Sequence, residues 1–125
     1  MTDPRHERRI IVLQKLFACT FTPGNLDRCL LEVSDEEFVE LLRELPVLDE
    51  KIAQAAPERP LTEVNKIDLA ILRLSMFESK HKKTPKKVLL NEAVELAKEF
   101  GSDGSSKFVN GALARLLLDE EAESE

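Results

Sequence analysis

Apolar residues recur three and four positions apart along nearly the whole chain, and no segment alternates cleanly between apolar and polar. That period belongs to helices packed by one face, not to half-buried strands. Asp3 is placed to cap a first helix with Pro4 at its first position, and Ile10, Leu13, Phe17 and Phe21 form its apolar stripe. Pro23-Gly24 stops it, and a short helix is predicted over Leu26 to Val33. Ser34 opens a capping box with Glu37, followed by Phe38, Leu41, Leu42 and Leu45 on one face. Pro46 is expected to end or bend this helix, with 47–56 continuing as helix. Pro57 and Pro60 make APERP a rigid connector.

The centre of the molecule is predicted to be LTEVNKIDLAILRLSMFESK. Val64, Ile67, Ile71, Leu74 and Phe77 form one stripe, widened by Leu72 and Met76, so this helix should be packed on more than one side. Thr84-Pro85 restarts helix by cap and proline, and Leu89, Ala93, Leu96 and Phe100 form the next stripe before Gly101. A last helix begins near Ser105 and buries Phe108, Val109, Leu113, Leu116 and Leu117. The fold class is all-α, with six to seven helices in two small packed bundles. Residues 1–118 form one domain, and the acidic residues 119–125 a tail expected to be disordered. Gly111 sits inside the last helix, where glycine costs roughly 1 kcal/mol relative to alanine. A close approach of another helix would account for it, with Asn110 hydrogen-bonding a neighbour.

The composition is that of an ordinary globular chain: 125 residues, 42% hydrophobic and 34% charged. No apolar run approaches the ~18 residues of a membrane span, and no apolar signal core follows the basic N-terminus, so the expected location is the cytoplasm. Cys19 and Cys29, ten positions apart, are expected as reduced, partly buried thiols. His6 and His81 have no partners at ligand spacing, so no metal is expected, and no cofactor. Phosphate-binding glycine loops and nucleophile motifs are absent from the sequence. These absences favour a binding protein over an enzyme.

A net charge of −6 disfavours nucleic acid until its distribution is considered, because five of the acids lie in DEEAESE, residues 119–125. Two basic concentrations remain. One holds Arg5, Arg8, Arg9 and Lys15; the other, KHKKTPKK, holds five lysines. Arg5, Arg8 and Arg9 share one helix face at i, i+3 and i+4. Such a face recruits phosphates, or is simply solvated. Lys107 and Phe108 lie in the first turn of the last helix, where free N–H groups and the helix dipole favour an anion. A phenyl ring there stacks on a base for roughly 1–3 kcal/mol, or belongs to the core.

The stretch LNEAVELAKEFGSDGSSKFVNGALARL, Leu90 to Leu116, resembles the C-terminal signature of the NusB family of transcription antitermination factors. IDLAILRLSMFE is similar to that family's central helix and RHERRIIVLQKLF to its arginine-rich first helix. The resemblance implies two three-helix bundles, binding of boxA-type single-stranded RNA, and pairing with the ribosomal protein NusE. It also implies loading onto the RNA polymerase antitermination complex, which serves ribosomal RNA operons. By the match, Arg5, Arg8, Arg9, Lys107, Phe108 and Asn110 are expected to meet RNA. Arg5 and Arg9 align best, while Arg8 is shifted. Asp68 and Glu78 are candidates for the protein partner's surface, Glu78 equally for an internal salt bridge. Gly104 replaces a common family acid. Two rivals remain: a protein-interaction module, homodimeric or NusE-binding, that does not touch RNA, and a relative of the rRNA methyltransferases that carry a NusB-like domain. Monomer and homodimer are both open.

Overall fold

The structure is a computed structural model in which residues 3–22 and 24–123 are described, the side chains of 119–123 excepted. Pro23 of the expected Pro23-Gly24 stop lies outside that set. The described residues form six α-helices and no strand: α1 (Pro4–Phe21), α2 (Asn25–Glu32), α3 (Glu36–Ala55), α4 (Lys66–His81), α5 (Lys86–Phe100) and α6 (Ser105–Glu123). A single 3-10 turn, Leu61–Glu63, precedes α4. The acidic stretch continues α6 through Glu123, and its last two residues are outside the described set.

α4, α5 and α6 pack against one another, α1 packs on α2 and α2 on α3, and both sets meet along α4. One apolar core runs through α1, α3, α4, α5 and α6. The wide apolar surface read for the central helix is explained by this position: Leu69 through Leu72 and Leu74 through Phe77 are all buried. The other expected stripes are mostly buried too. α1 is rotated from its expected stripe, burying Val12, Leu13, Leu16 and Cys19, while Phe21 is exposed under the Lys66 ammonium, 4.8 Å from its ring centre.

Local chemistry sets the helix ends. Asp3 accepts from the Arg5 backbone N–H at 2.9 Å, with Pro4 behind it. Asn65 caps α4 by accepting from Ile67 N–H at 2.8 Å. The cap of α3 is Asp35, not Ser34: its carboxylate accepts from Phe38 N–H at 3.2 Å. α3 then runs through Pro46, which stands exposed, and does not end there. Thr84 caps nothing; its hydroxyl donates to Glu78 at 2.8 Å, and α5 starts after Pro85.

Two glycines shape the entry to α6. Gly104 has φ +86°, which an L side chain rarely adopts. At Gly101 a Cβ would lie 2.5 Å from the Ser105 Cβ and 2.6 Å from the Ala97 carbonyl oxygen, so the α5–α6 corner closes only on hydrogen. Gly111 has the opposite surroundings. A Cβ there would meet nothing within 4 Å, so close helix packing does not explain it.

Cys19 and Cys29 are not free thiols. They are joined as a disulfide across the α1–α2 corner, with Cα atoms 5.9 Å apart. The turn after α1 folds α2 back along it and brings together two positions that the linear spacing left unrelated.

Candidate nucleic-acid interface

The arginines of α1 have three different fates. Arg5 is exposed at the helix start, its guanidinium unpaired among the described residues. Arg8 donates to the Asp35 carboxylate at 2.7 Å, and that hydrogen bond raises the pKa of Arg8 and lowers that of Asp35. Arg9 is only 9% exposed and points inward. Its Nε and Nη2 donate to the two oxygens of Glu78 at 2.9 and 2.7 Å, and Nη1 lies 3.4 Å from Glu92. A planar guanidinium matched to both carboxylate oxygens is the strong form of this pair. Arg9 is therefore committed to an internal pair and presents no guanidinium to phosphate.

The expected partner-facing acids are also internal. Glu78 is 6% exposed. Burial pushes its carboxyl up, but the hydrogen bonds from Arg9 and Thr84 outweigh it and hold the pKa below the ordinary value. Of its two expected roles, the internal salt bridge is the one the geometry fills. Asp68 is 3% exposed beneath the start of α6. Burial raises its pKa, offset in part by a hydrogen bond from Ser105 and the charge of Arg59. One of its oxygens has no hydrogen-bond partner among the described residues. Neither acid offers a surface to another protein in this conformation.

The second cluster is open. Lys107 and Asn110 are exposed and unpaired among the described residues, and Phe108 is half-buried. Lys107 and Asn110 line a shallow groove against Asn91, Glu95 and Lys98 of α5. The α1 side meets the other flank of the same helix: His6 Nδ1 lies 2.7 Å from Glu92, and Nε2 3.6 Å from Glu99. The hydrogen bond with Glu92 raises the His6 pKa against the opposing effect of burial. α5 thus presents Glu92 and Glu99 to the α1 side and Glu95 to the Lys107 groove. The structure places Lys107 between two grooves, one shared with Asn110 and the other with Phe108, while His6 and Arg9 of α1 meet Glu92 on α5.

The KHKKTPKK lysines are partly neutralised as well. Lys80 pairs with Glu44 at 2.9 Å and Lys82 with Glu37 at 3.3 Å, while the Lys86 ammonium donates to the Leu117 carbonyl. Sequence reasoning missed Arg59, whose guanidinium lies over the Phe108 ring, 4.6 Å from its centre. Its setting between two prolines marked it only as spacer.

A sequence model of the NusB family matches residues 6–117. The chain belongs to the NusB family. The transcription antitermination protein NusB of Chloroflexus aggregans is 41% identical over all of this chain and 97% of its own length. That of Dehalococcoides mccartyi (strain CBDB1) is 41% identical over 91% of this chain and 90% of its own. The solved structure of T. maritima NusB superimposes with a TM-score of 0.78 at 30% identity, covering 98% of this chain and 99% of that one. The described residues thus share the all-α NusB fold. No helix among the described residues is long and apolar enough to cross a membrane.

Proposed function

We propose that this chain is an antitermination adaptor that binds boxA-type single-stranded RNA together with NusE and supports processive transcription of ribosomal RNA operons as part of the polymerase complex. Family membership supports the antitermination role. The observation that supports RNA contact is the start of α6, where exposed Lys107, with no ion pair among the described residues, lies between a groove it shares with Asn110 and one it shares with Phe108. An ammonium, a half-covered ring and a side-chain amide at a helix N-terminus serve phosphate, base and base edge respectively. Arg5 adds an exposed cation at the start of α1, unpaired among the described residues. Arg8 stays 42% exposed with one N–H on Asp35, so it can meet RNA only as a cation already paired, and Arg9 supports the fold instead.

The test is a titration of boxA-like RNA against a scrambled control, with and without NusE. Three or four phosphate contacts predict a slope of log K against log salt near −2 to −3. A flat salt dependence rejects phosphate-led binding. The rival, a protein-interaction module without RNA contact, draws on the pairing of Arg8 and Arg9 inside the protein. Arg5→Ala with Lys107→Ala separates the two: RNA affinity falls with NusE binding intact on the first reading, and there is no RNA affinity to lose on the second.

A further inference from the structure

Gly111 carries a helix-propensity cost with no packing return, since a Cβ there would touch nothing within 4 Å. What the missing side chain does is leave a groove open. The groove, about 380 Å³, runs between the connector at Ala56–Arg59 and one face of α6. Lys107, Gly111 and Arg115 lie four residues apart on that face, so the two cations flank the glycine about 12 Å apart along the axis. Phe108 forms part of the wall, its ring face covered by Arg59. Arg115 is anchored, donating to the Ala55 carbonyl at 3.0 Å with Glu58 3.6 Å away. Glu58 is the one acid in the lining against three cations. Gly104, the other glycine in the lining, likewise leaves open space.

We infer that this groove seats one nucleobase of a bound single strand: the base stacks on the Arg59–Phe108 pair over the bare backbone of Gly111, and its phosphates lie toward Lys107 and Arg115. The inference rests on the reading above that the chain binds single-stranded RNA, and it adds a second wall to Phe108. A guanidinium plane laid on a phenyl ring is itself a stacking surface for a flat heterocycle. An acidic peptide would find the same cations but has no need of a ring face or of a helix side kept clear of side chains. The groove therefore favours a nucleotide.

The experiment measures binding of a labelled boxA-like single-stranded RNA by anisotropy, alongside thermal melts, for wild type, Gly111→Leu, Gly111→Ala, Arg59→Gln and Lys107→Ala. Gly111→Leu should fill the groove and weaken RNA binding about tenfold, while raising the Tm by about 3 °C because leucine is the better helix former. Gly111→Ala should raise the Tm similarly with a smaller loss of affinity. Arg59→Gln should weaken binding roughly fivefold, the low end for one stacking contact. If Lys107→Ala weakens binding and the Gly111 and Arg59 variants do not, the groove is not a base seat, although the RNA reading stands. If wild type binds no RNA at low salt, both fall. If a hexaglutamate peptide binds wild type but not Gly111→Leu, and RNA binds both equally, the occupant is an acidic protein segment and the inference is overturned.

Discussion

Replacing Arg9 by alanine distinguishes a structural arginine from an RNA ligand more sharply than any other single change. Arg9 and Glu78 are 9% and 6% exposed and joined by two hydrogen bonds of 2.9 and 2.7 Å. Removing the cation leaves Glu78 buried with only the Thr84 hydroxyl and its charged surroundings. Breaking one side of such a pair costs about 3–5 kcal/mol. A domain of this size has roughly 6–19 kcal/mol in total, so the loss takes a large share. At about 3–5 °C per kcal/mol the Tm should fall by roughly 10–20 °C. Urea melts of Arg9→Ala, Glu78→Ala and the double variant close the cycle. The coupling energy should be at least about 1.5 kcal/mol, because the second truncation removes a charge that the first had already stranded. The pH dependence gives a further check. The folded-state pKa of Glu78 is depressed, so its contribution is present above the ordinary value of 4.5 and is lost as pH falls through the lowered one. Arg9→Ala should abolish that part of the acid limb. An Arg9→Ala protein with unchanged stability and lost RNA affinity would refute the reasoning and return Arg9 to the phosphate face.

Other consequences follow from the same geometry. The folded-state pKa of His6 is raised by Glu92, so its stabilisation is complete below 6.5 and is lost as pH rises through the raised value; His6→Gln should flatten that stretch of a stability–pH curve measured by melts. Gly101→Ala should destabilise by about 1–3 kcal/mol, since its Cβ would press on Ser105 and on backbone, which a urea titration reads directly. Reducing the Cys19–Cys29 bridge, which closes a short loop, should cost up to about 3 kcal/mol in a melt with and without dithiothreitol, and Cys19→Ser should remove the effect of the reductant.

Much of the architecture was legible because amphipathic period and caps are local signals. The α1 cap at Asp3 and the wide burial of α4 required only neighbours in sequence. The misreadings arose where a side chain serves a distant element. Asp35 rather than Ser34 caps α3, and its other carboxylate oxygen meets Arg8 of a different helix. Thr84 looked like a cap but turns to Glu78. An arginine run at i, i+3 and i+4 looks like one charged face, yet the helix rotation that buries Leu13 and Leu16 carries Arg9 inward with them. Gly111 shows the same limit. Sequence exposes its cost, and only the three-dimensional surroundings reveal that an open groove, not a packed neighbour, goes with it. Arg59 carried no signal at all, because its proximity to Phe108 depends on the connector folding back along α6.

The central claim is that the Lys107 corner of α6, not the α1 arginine run as a whole, leads the contact with RNA phosphate. It is tested most directly by the salt dependence of boxA-like RNA binding for wild type, Lys107→Ala and Arg8→Ala, each first shown to be folded. Lys107→Ala should lower the steepness of log K against log salt by about 0.7, the loss of one single-strand phosphate contact, while Arg8→Ala leaves it unchanged. An unchanged slope for Lys107→Ala, with a reduced one for Arg8→Ala, would contradict it.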